Sequence, residues 1–131
     1  MEESNKEIGY LGEQEFIKRL NNLGIPYTYI DGAYDIEIYN TPVEIKTTRL
    51  SHKFTDKRKT KQQYKIGRFD FTEYQRENEL WTALFVRHNR EFLFIGMIKT
   101  KKESPRYISI HKTRNMKLYT IEEFIKKVKL W

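Results

Sequence analysis

The chain has 131 residues, of which 38% are hydrophobic, and carries a formal net charge of +7. This length predicts one domain, residues 1–131, with a single core. No apolar run reaches membrane-spanning length, and the first residues lack the charged and apolar regions of a secretory signal, so we expect a cytoplasmic protein without a membrane partner. Cysteine is absent, which excludes disulfides and thiolate metal sites and leaves oxygen atoms as the natural metal ligands.

The first predicted element is an amphipathic helix. It begins at the capping box Ser4-Asn5-Lys6-Glu7 and ends near Leu23, because Gly24 is a typical helix stop. The helical period predicts one apolar stripe, which consists of Phe16, Ile17, Leu20 and Leu23.

An acidic side chain interrupts this apolar stripe. Glu13 falls in the middle of the stripe, whereas Glu15 falls on the polar side of the helix. A carboxylate in an apolar environment is costly unless it is paired or bound to a metal ion. Glu13 is therefore a candidate site residue, with a salt bridge to a buried base or a looser edge position as the alternatives.

Three short strands are predicted next, at residues 27–30, 34–39 and 42–48, with turns at Asp31-Gly32 and Asn40-Thr41. The last two strands form a predicted hairpin. Side chains alternate between the two faces of a strand, so acidic residues two positions apart on one strand share a face of the sheet.

This hairpin places four polar side chains on one face. A loop of two or four residues would set Asp35 opposite Lys46 and Glu37 opposite Glu44. Directly opposed glutamates repel, so this register favours a cation at that point or strands that diverge there.

The positive charge of the chain is concentrated between residues 49 and 68. Eight basic residues and one acidic residue lie there, a local charge of +7, which equals the net charge of the whole chain. The basic residues are Arg49, Lys53, Lys57, Arg58, Lys59, Lys61, Lys65 and Arg68. Such a run is commonly a solvated loop, but this basic segment begins three residues after Lys46 and therefore predicts a surface for a nucleic-acid backbone beside the acidic residues.

The second half of the chain predicts more strands and helices around the same core. An extended piece at 66–69 is followed by a helix over 72–80, and two apolar strands at 82–88 and 91–98 form a hairpin. An edge strand at 107–110 precedes a final helix that starts at a second capping box, Thr120-Ile121-Glu122-Glu123. The predicted fold class is α+β, with a leading helix and a mixed central sheet flanked by helices.

The order of these acidic elements resembles the PD-(D/E)xK nuclease superfamily, which includes restriction endonucleases and archaeal Holliday junction resolvases. The resemblance consists of Glu13 on the leading helix, Asp35 on a strand and Glu44-Ile45-Lys46 on the next strand. Gly9, four residues before the helix glutamate, also fits the family, whereas Tyr34 stands where the family often has proline. The residues that carry the resemblance lie in the first half of the chain. The resemblance implies a restriction endonuclease-like core.

The resemblance implies a magnesium site, with Mn²⁺ as a substitute. In such a site Asp35, Glu44 and the backbone carbonyl of Ile45 would bind the metal ion, and Lys46 would position the attacking water. Glu13 would hold a second metal ion or its water shell. Some relatives carry a glutamine near the site after the lysine, and the candidates are Gln62, Gln63 and Gln75.

The implied function is a Mg²⁺-dependent DNA endonuclease that acts as a homodimer or a higher homo-oligomer. Two substrate classes stay open: branched DNA, as in junction resolvases, and specific sequences, as in restriction or homing enzymes. The alternative is a basic nucleic-acid-binding module that has the same fold and does not cut.

Overall fold

The computed structural model of the chain describes residues 3–32, 34–56 and 61–129, and of residues 52–56 and 61–65 it describes the backbone alone. Within these ranges the helices are α1 (Asn5–Asn22), α2 (Glu73–Glu77) and α3 (Ile121–Lys129), with a 3-10 helix at Ile110–Asn115. The strands are β1 (Thr28–Tyr29), β2 (Ile36–Ile38), β3 (Thr41–Arg49), β4 (Ser51–Asp56), β5 (Lys61–Ile66), β6 (Arg68–Asp70), β7 (Trp81–His88), β8 (Glu91–Lys99) and β9 (Tyr107–Ser109).

The central sheet has five strands in the order β1-β2-β3-β7-β8. Strands β3 and β7 run parallel, while the other neighbours are antiparallel, so the sheet is mixed. With α1 before the sheet and α3 after it, the fold is α+β, as predicted. Among the described residues, no helix has the length and apolar character needed to cross a membrane.

Helix α1 has the predicted caps. The hydroxyl of Ser4 accepts a hydrogen bond from the Glu7 backbone N–H at 3.1 Å, and Gly24 adopts a φ of 68° just beyond the last turn. Leu23, however, is 46% exposed, so its prediction as a core residue is wrong. It is the C-cap residue, where the helix has already ended.

Strand β7 separates two apolar clusters. Because side chains alternate along a strand, Trp81, Ala83 and Phe85 join one cluster with residues of α1 and α3. Leu84 and Val86 point the other way and join a second cluster with residues of β6 and β9. Burial on both faces explains why this predicted strand is almost continuously apolar.

The loop between β2 and β3 contains two residues. Tyr39 and Asn40 have φ values of 49° and 64°, both in the left-handed region, as in the type I′ turns that close tight hairpins. The turn therefore lies one residue earlier than predicted. Ile38 pairs with Thr41 across it.

This turn changes the predicted register of the hairpin. Glu37 pairs with Pro42 instead of Glu44, so the predicted register is wrong by two residues. The ladder ends at Ile36 opposite Val43, and Asp35, which was predicted opposite Lys46, has no register partner on β3. A shift of two preserves the face on which each side chain lies, so the acidic residues stay together.

The basic segment folds partly into strands. The backbones of β4 and β5 pair antiparallel in a sheet of their own, from Ser51 opposite Ile66 to Asp56 opposite Lys61. This hairpin follows β3 after a single residue, Leu50. The predicted basic residues Lys57, Arg58 and Lys59 lie outside the described residues.

Two predicted elements of the second half have different bounds. Helix α2 ends at Glu77 instead of reaching Leu80, because Glu79 adopts a φ of 49° and turns the chain into β7. The predicted edge strand is β9, and it pairs with β6 instead of joining the central sheet. The second capping box is confirmed, since the backbone N–H of Glu123 donates to the Thr120 hydroxyl at 3.1 Å.

Candidate functional site

Asp35 lies where β2 begins and is tied to the backbone of β3. Its N–H donates to the Val43 carbonyl at 3.2 Å, and its carboxylate oxygen Oδ2 accepts a hydrogen bond from the Ile45 N–H at 2.7 Å. The second hydrogen bond holds the carboxylate against the strand that carries Glu44 and Lys46. One carboxylate oxygen of Asp35 thus accepts a backbone hydrogen bond, and the other carboxylate oxygen takes no part in that bond.

The carbonyl of Ile45 faces the same side of β3. The N–H and the C=O of one strand residue point to the same neighbour, as in a hydrogen-bonded pair. Since the Ile45 N–H points to Asp35, its carbonyl points to the side on which Asp35 lies. This agrees with the predicted role of this carbonyl as an oxygen ligand.

Glu44 and Lys46 are neighbours on one face of β3. The Lys46 ammonium nitrogen lies 3.7 Å from Oε1 of Glu44, and the two side chains are 25% and 19% exposed. Both side chains are thus mostly shielded from solvent but reachable. A lysine held there supplies a positive charge next to the acidic residues.

Helix α1 approaches β3 most closely at Gly12. A methyl group at this position would lie 1.8 Å from the hydroxyl oxygen of Thr47, so the contact requires glycine. The next residue of the helix is Glu13, which this contact brings to the same region as Asp35. The sequence pattern pointed instead to Gly9, but a methyl group there would meet no atom within 4 Å.

All three carboxyl groups of the site have a raised pKa. Burial and the charge of Asp35 raise the pKa of Glu13. Burial also raises the pKa of Asp35, against the opposing effects of the Ile45 N–H and Lys46. The structure therefore brings together Glu13, Asp35 and Lys46, which are distant in the chain.

Glu44 has the most strongly shifted carboxyl of this group. Burial, together with the charges of Asp35 and Glu13, raises the pKa of Glu44 to about 7, although Lys46 opposes the shift. Near neutral pH the ionised form of Glu44 is therefore disfavoured, and a bound cation would favour it. Perturbed carboxyls in contact with one another are characteristic of functional sites.

These groups suit Mg²⁺ in number and type. Mg²⁺ binds through one or two carboxylates and keeps several waters, so Asp35, Glu44 and the carbonyl of Ile45 offer sufficient oxygen ligands. Among the side chains that the structure describes, no group of three or more His, Asp or Glu residues is placed so that it could hold a metal ion. Burial raises the pKa of both Asp35 and Glu44, and the charge of Asp35 adds to the shift of Glu44, so a cation bound between the two would favour their ionised forms.

One of the three candidate glutamines lies beside the strand of Glu44. Gln75 of α2 is 1% exposed, and its Nε2 donates to the hydroxyl of Thr82. Thr82 is the register partner of Glu44 on β7. The buried oxygen Oε1 of Gln75 has no hydrogen-bond partner among the described residues, while the side chains of Gln62 and Gln63 lie outside those residues.

Two of the predicted DNA-binding residues lie close to the site at the ends of the basic segment. Arg49 donates hydrogen bonds to Oδ1 of Asn5 and to the carbonyl of Glu3. Arg68 forms an exposed ion pair with Asp70 at 3.2 Å. For Lys53, Lys61 and Lys65 the backbone is described as part of the β4–β5 hairpin, but not the side chains.

In comparisons with protein-family models, curated proteins and solved structures, none matched this chain.

Proposed function

We propose that the protein is a metal-dependent DNA endonuclease of the PD-(D/E)xK type. The observation that carries the proposal is the convergence of Glu13, Asp35 and Glu44 with Lys46: the charge of Asp35 raises the pKa of both glutamates, and Lys46 lowers the pKa of Asp35 and Glu44 against the effect of burial. A protein that only binds DNA has no need for clustered, partly buried carboxylates facing a polyanion. The basic segment beside the site supports nucleic acid as the substrate.

In this proposal Asp35, Glu44 and the Ile45 carbonyl hold Mg²⁺, and Mn²⁺ substitutes for it. The bound cation would lower the pKa of a coordinated water and offset charge on the phosphate. Glu13 holds a second ion or orients water through its carboxylate.

The chain's own groups have separate tasks in hydrolysis. The Lys46 ammonium positions the attacking water and donates hydrogen bonds to oxygens that gain negative charge. The water oxygen bonds to phosphorus while the bond to the leaving sugar oxygen breaks, which yields a phosphomonoester and a hydroxyl. The Ile45 N–H keeps the Asp35 carboxylate oriented during this step.

Gln75 is a positioning residue in the same proposal. Its amide is buried and directed by Thr82, next to the strand position of Glu44. Its unpaired oxygen suits the acceptance of a hydrogen bond from a water ordered at the site. Double-strand cleavage by one site per chain favours a homodimer, and a protein that acts on DNA fits the expectation of a cytoplasmic location.

The decisive experiment is incubation with Mg²⁺ or Mn²⁺ and a panel of linear duplex, four-way junction, flap and single-stranded DNA, with EDTA controls. We expect cleavage only with metal ion. Preferential cleavage of the four-way junction would identify a structure-selective enzyme. Fixed cut positions in linear duplex DNA would identify a sequence-specific enzyme. Tight binding without cleavage under every condition would favour the non-catalytic module.

Lys46→Ala and Asp35→Asn test the site assignment. Asparagine keeps an acceptor for the Ile45 N–H but removes the charge, so we expect cleavage to fall about 10²- to 10⁴-fold while DNA binding is retained. Lys99→Ala and Asp31→Asn, which change exposed residues outside the site, are the matched controls. Unchanged turnover in either site variant would refute the assignment.

A further inference from the structure

A cleft of about 420 Å³ begins at Lys46 and extends away from the carboxylates. Its walls are Asn5 and Ile8 of α1, residues 46–49 of β3 and residues 68–70 of β6. This volume falls in the range of small-molecule sites. We call it the Arg68 cleft.

The Arg68 cleft is positively charged. Lys46, Arg49 and Arg68 line it against a single acid, Asp70. The first turn of the 18-residue helix α1 also borders it, and the dipole of a helix favours anions at its N-terminus. Arg49 is already engaged by Asn5, which leaves Lys46 and Arg68 as the main donors for a bound anion.

Arg68 stacks on an aromatic ring but forms only a weak ion pair. Its guanidinium lies 4.3 Å from the centre of the Tyr107 ring, which fixes the plane of the group. Its ion pair with Asp70 has side chains that are half or more exposed, and such pairs contribute little. A phosphate can therefore replace Asp70 as the partner of Arg68 at small cost.

The Arg68 cleft is elongated along β3. Ile8 and Phe69 also line it, although both side chains are almost fully buried. From Lys46 to Arg49 the cleft follows β3 for three residues, roughly 10 Å at about 3.3 Å per residue. This covers more than one nucleotide step of about 3.4 Å along a DNA strand.

We propose that the Arg68 cleft binds the phosphate and sugar of the nucleotide next to the bond that is cut, with Arg68 as its phosphate ligand. This inference rests on the proposed nuclease function. Lys46 joins the two sites, because its side chain contacts Glu44 on one side and lines the cleft on the other. The DNA strand thus runs from the carboxylates past Lys46 and along β3.

The first test is binding of a fluorescent DNA oligonucleotide in EDTA, which does not depend on cleavage. We expect Arg68→Ala to raise Kd about tenfold, the usual effect of losing a charge-assisted hydrogen bond. Asp70→Asn should lower Kd severalfold, because it removes the carboxylate that competes with phosphate. Arg114→Ala, an exposed arginine outside the cleft, is the control and should leave Kd unchanged.

The second test uses DNA with a single neutral methylphosphonate beside the cut position. Wild-type cleavage should fall about tenfold with this substrate at subsaturating DNA, whereas Arg68→Ala should be equally slow on modified and unmodified DNA. Equal sensitivity of the two proteins, together with unchanged binding in Arg68→Ala and Asp70→Asn, would overturn the cleft assignment while cleavage itself upholds the nuclease. Absence of cleavage on every DNA would instead refute the nuclease, and the EDTA binding data would still decide whether the cleft binds phosphate.

Discussion

The carboxyl of Glu44 is an acidic group that the fold places in an unfavourable environment. Its pKa is about 7 in the folded chain, because it is buried beside Asp35 and Glu13. In the unfolded chain the same group ionises near the ordinary glutamate pKa of 4.5. The fold therefore carries a local destabilisation at neutral pH that a bound cation would relieve.

The sign of this effect predicts how stability changes with pH. A folded pKa above the unfolded one gives a stabilising contribution that is present below about pH 4.5 and is lost as the pH rises through about 7. Glu44→Gln removes the titrating group. Because the gain from removing the buried charge is partly offset when Lys46 loses its ion-pair partner, we expect the variant to be more stable than wild type by about 1 to 3 kcal/mol at pH 8.

Urea unfolding in EDTA at pH 8 and pH 4.5 measures this difference. The gain should shrink to about 0.4 kcal/mol at pH 4.5, where the carboxyl is protonated in the folded chain and half protonated in the unfolded chain. Glu122→Gln, which changes an exposed carboxyl of α3, is the control. Equal stability of Glu44→Gln and wild type at pH 8 would contradict a buried, strained carboxylate at this position.

Helix α1 is placed on the sheet by a contact that no acidic motif reveals. Gly12 faces Thr47 of β3 so closely that no side chain fits between them, and Glu13 follows directly. The position of Glu13 at the site thus depends on Gly12 having no side chain. A glycine inside a helix usually lowers stability, which makes the packing reason informative.

We predict opposite effects for two glycine-to-alanine changes in α1. Gly12→Ala should cost about 1 to 3 kcal/mol through overpacking and, by shifting Glu13, reduce cleavage about 10²-fold. Gly9→Ala adds a methyl group in open space and should gain about 0.5 to 1 kcal/mol from helix propensity.

Thermal unfolding temperatures and cleavage rates of both variants show which of the two glycines is needed to position α1 on the sheet. Adding Thr47→Ala to Gly12→Ala removes the clashing hydroxyl and should restore part of the stability. Indistinguishable behaviour of Gly9→Ala and Gly12→Ala would show that the close approach of α1 to β3 is not what positions Glu13.

Across the whole molecule the charge is distributed unevenly, and this determines how DNA would be attracted. The basic segment holds the entire excess of positive charge, and the β4–β5 hairpin that it forms follows β3 directly. The basic segment therefore follows the strand of Glu44 and Lys46 in the chain, and Arg49 and Arg68 at its two ends line the same cleft as Lys46. Electrostatic attraction of this kind depends on ionic strength.

We predict that replacing Lys57, Arg58, Lys59 and Lys61 by alanine weakens DNA binding and flattens its salt dependence. If all four contact phosphates, the slope of log K against log salt should fall by about 3 to 4 units, at about 0.9 per contact. A charge-matched control replaces the exposed lysines Lys101, Lys102, Lys112 and Lys126. Equal slopes for the two quadruple variants would mean that net charge alone, and not the basic segment, attracts DNA.

Local sequence patterns predicted the elements of this fold and the identity of the acidic residues. Capping boxes located the starts of α1 and α3, and two apolar runs joined by a tight turn located β7 and β8, because these signals act between residues that are close in the chain. The alternation of side chains along a strand placed Asp35 and Glu37 on one face of the hairpin, and Glu44 and Lys46 of the next strand on the same face. Such periodic signals do not depend on how the elements pack.

Packing between distant segments decided the rest. A turn of Tyr39 and Asn40 set the hairpin register two residues from the prediction, since left-handed residues other than glycine give no strong sequence signal. The contact of Gly12 with Thr47 and the burial of Gln75 beside Thr82 join residues far apart in the chain. Desolvation of Glu44 likewise arises only when helix and sheet close around it, so its shifted pKa is a property of the tertiary structure.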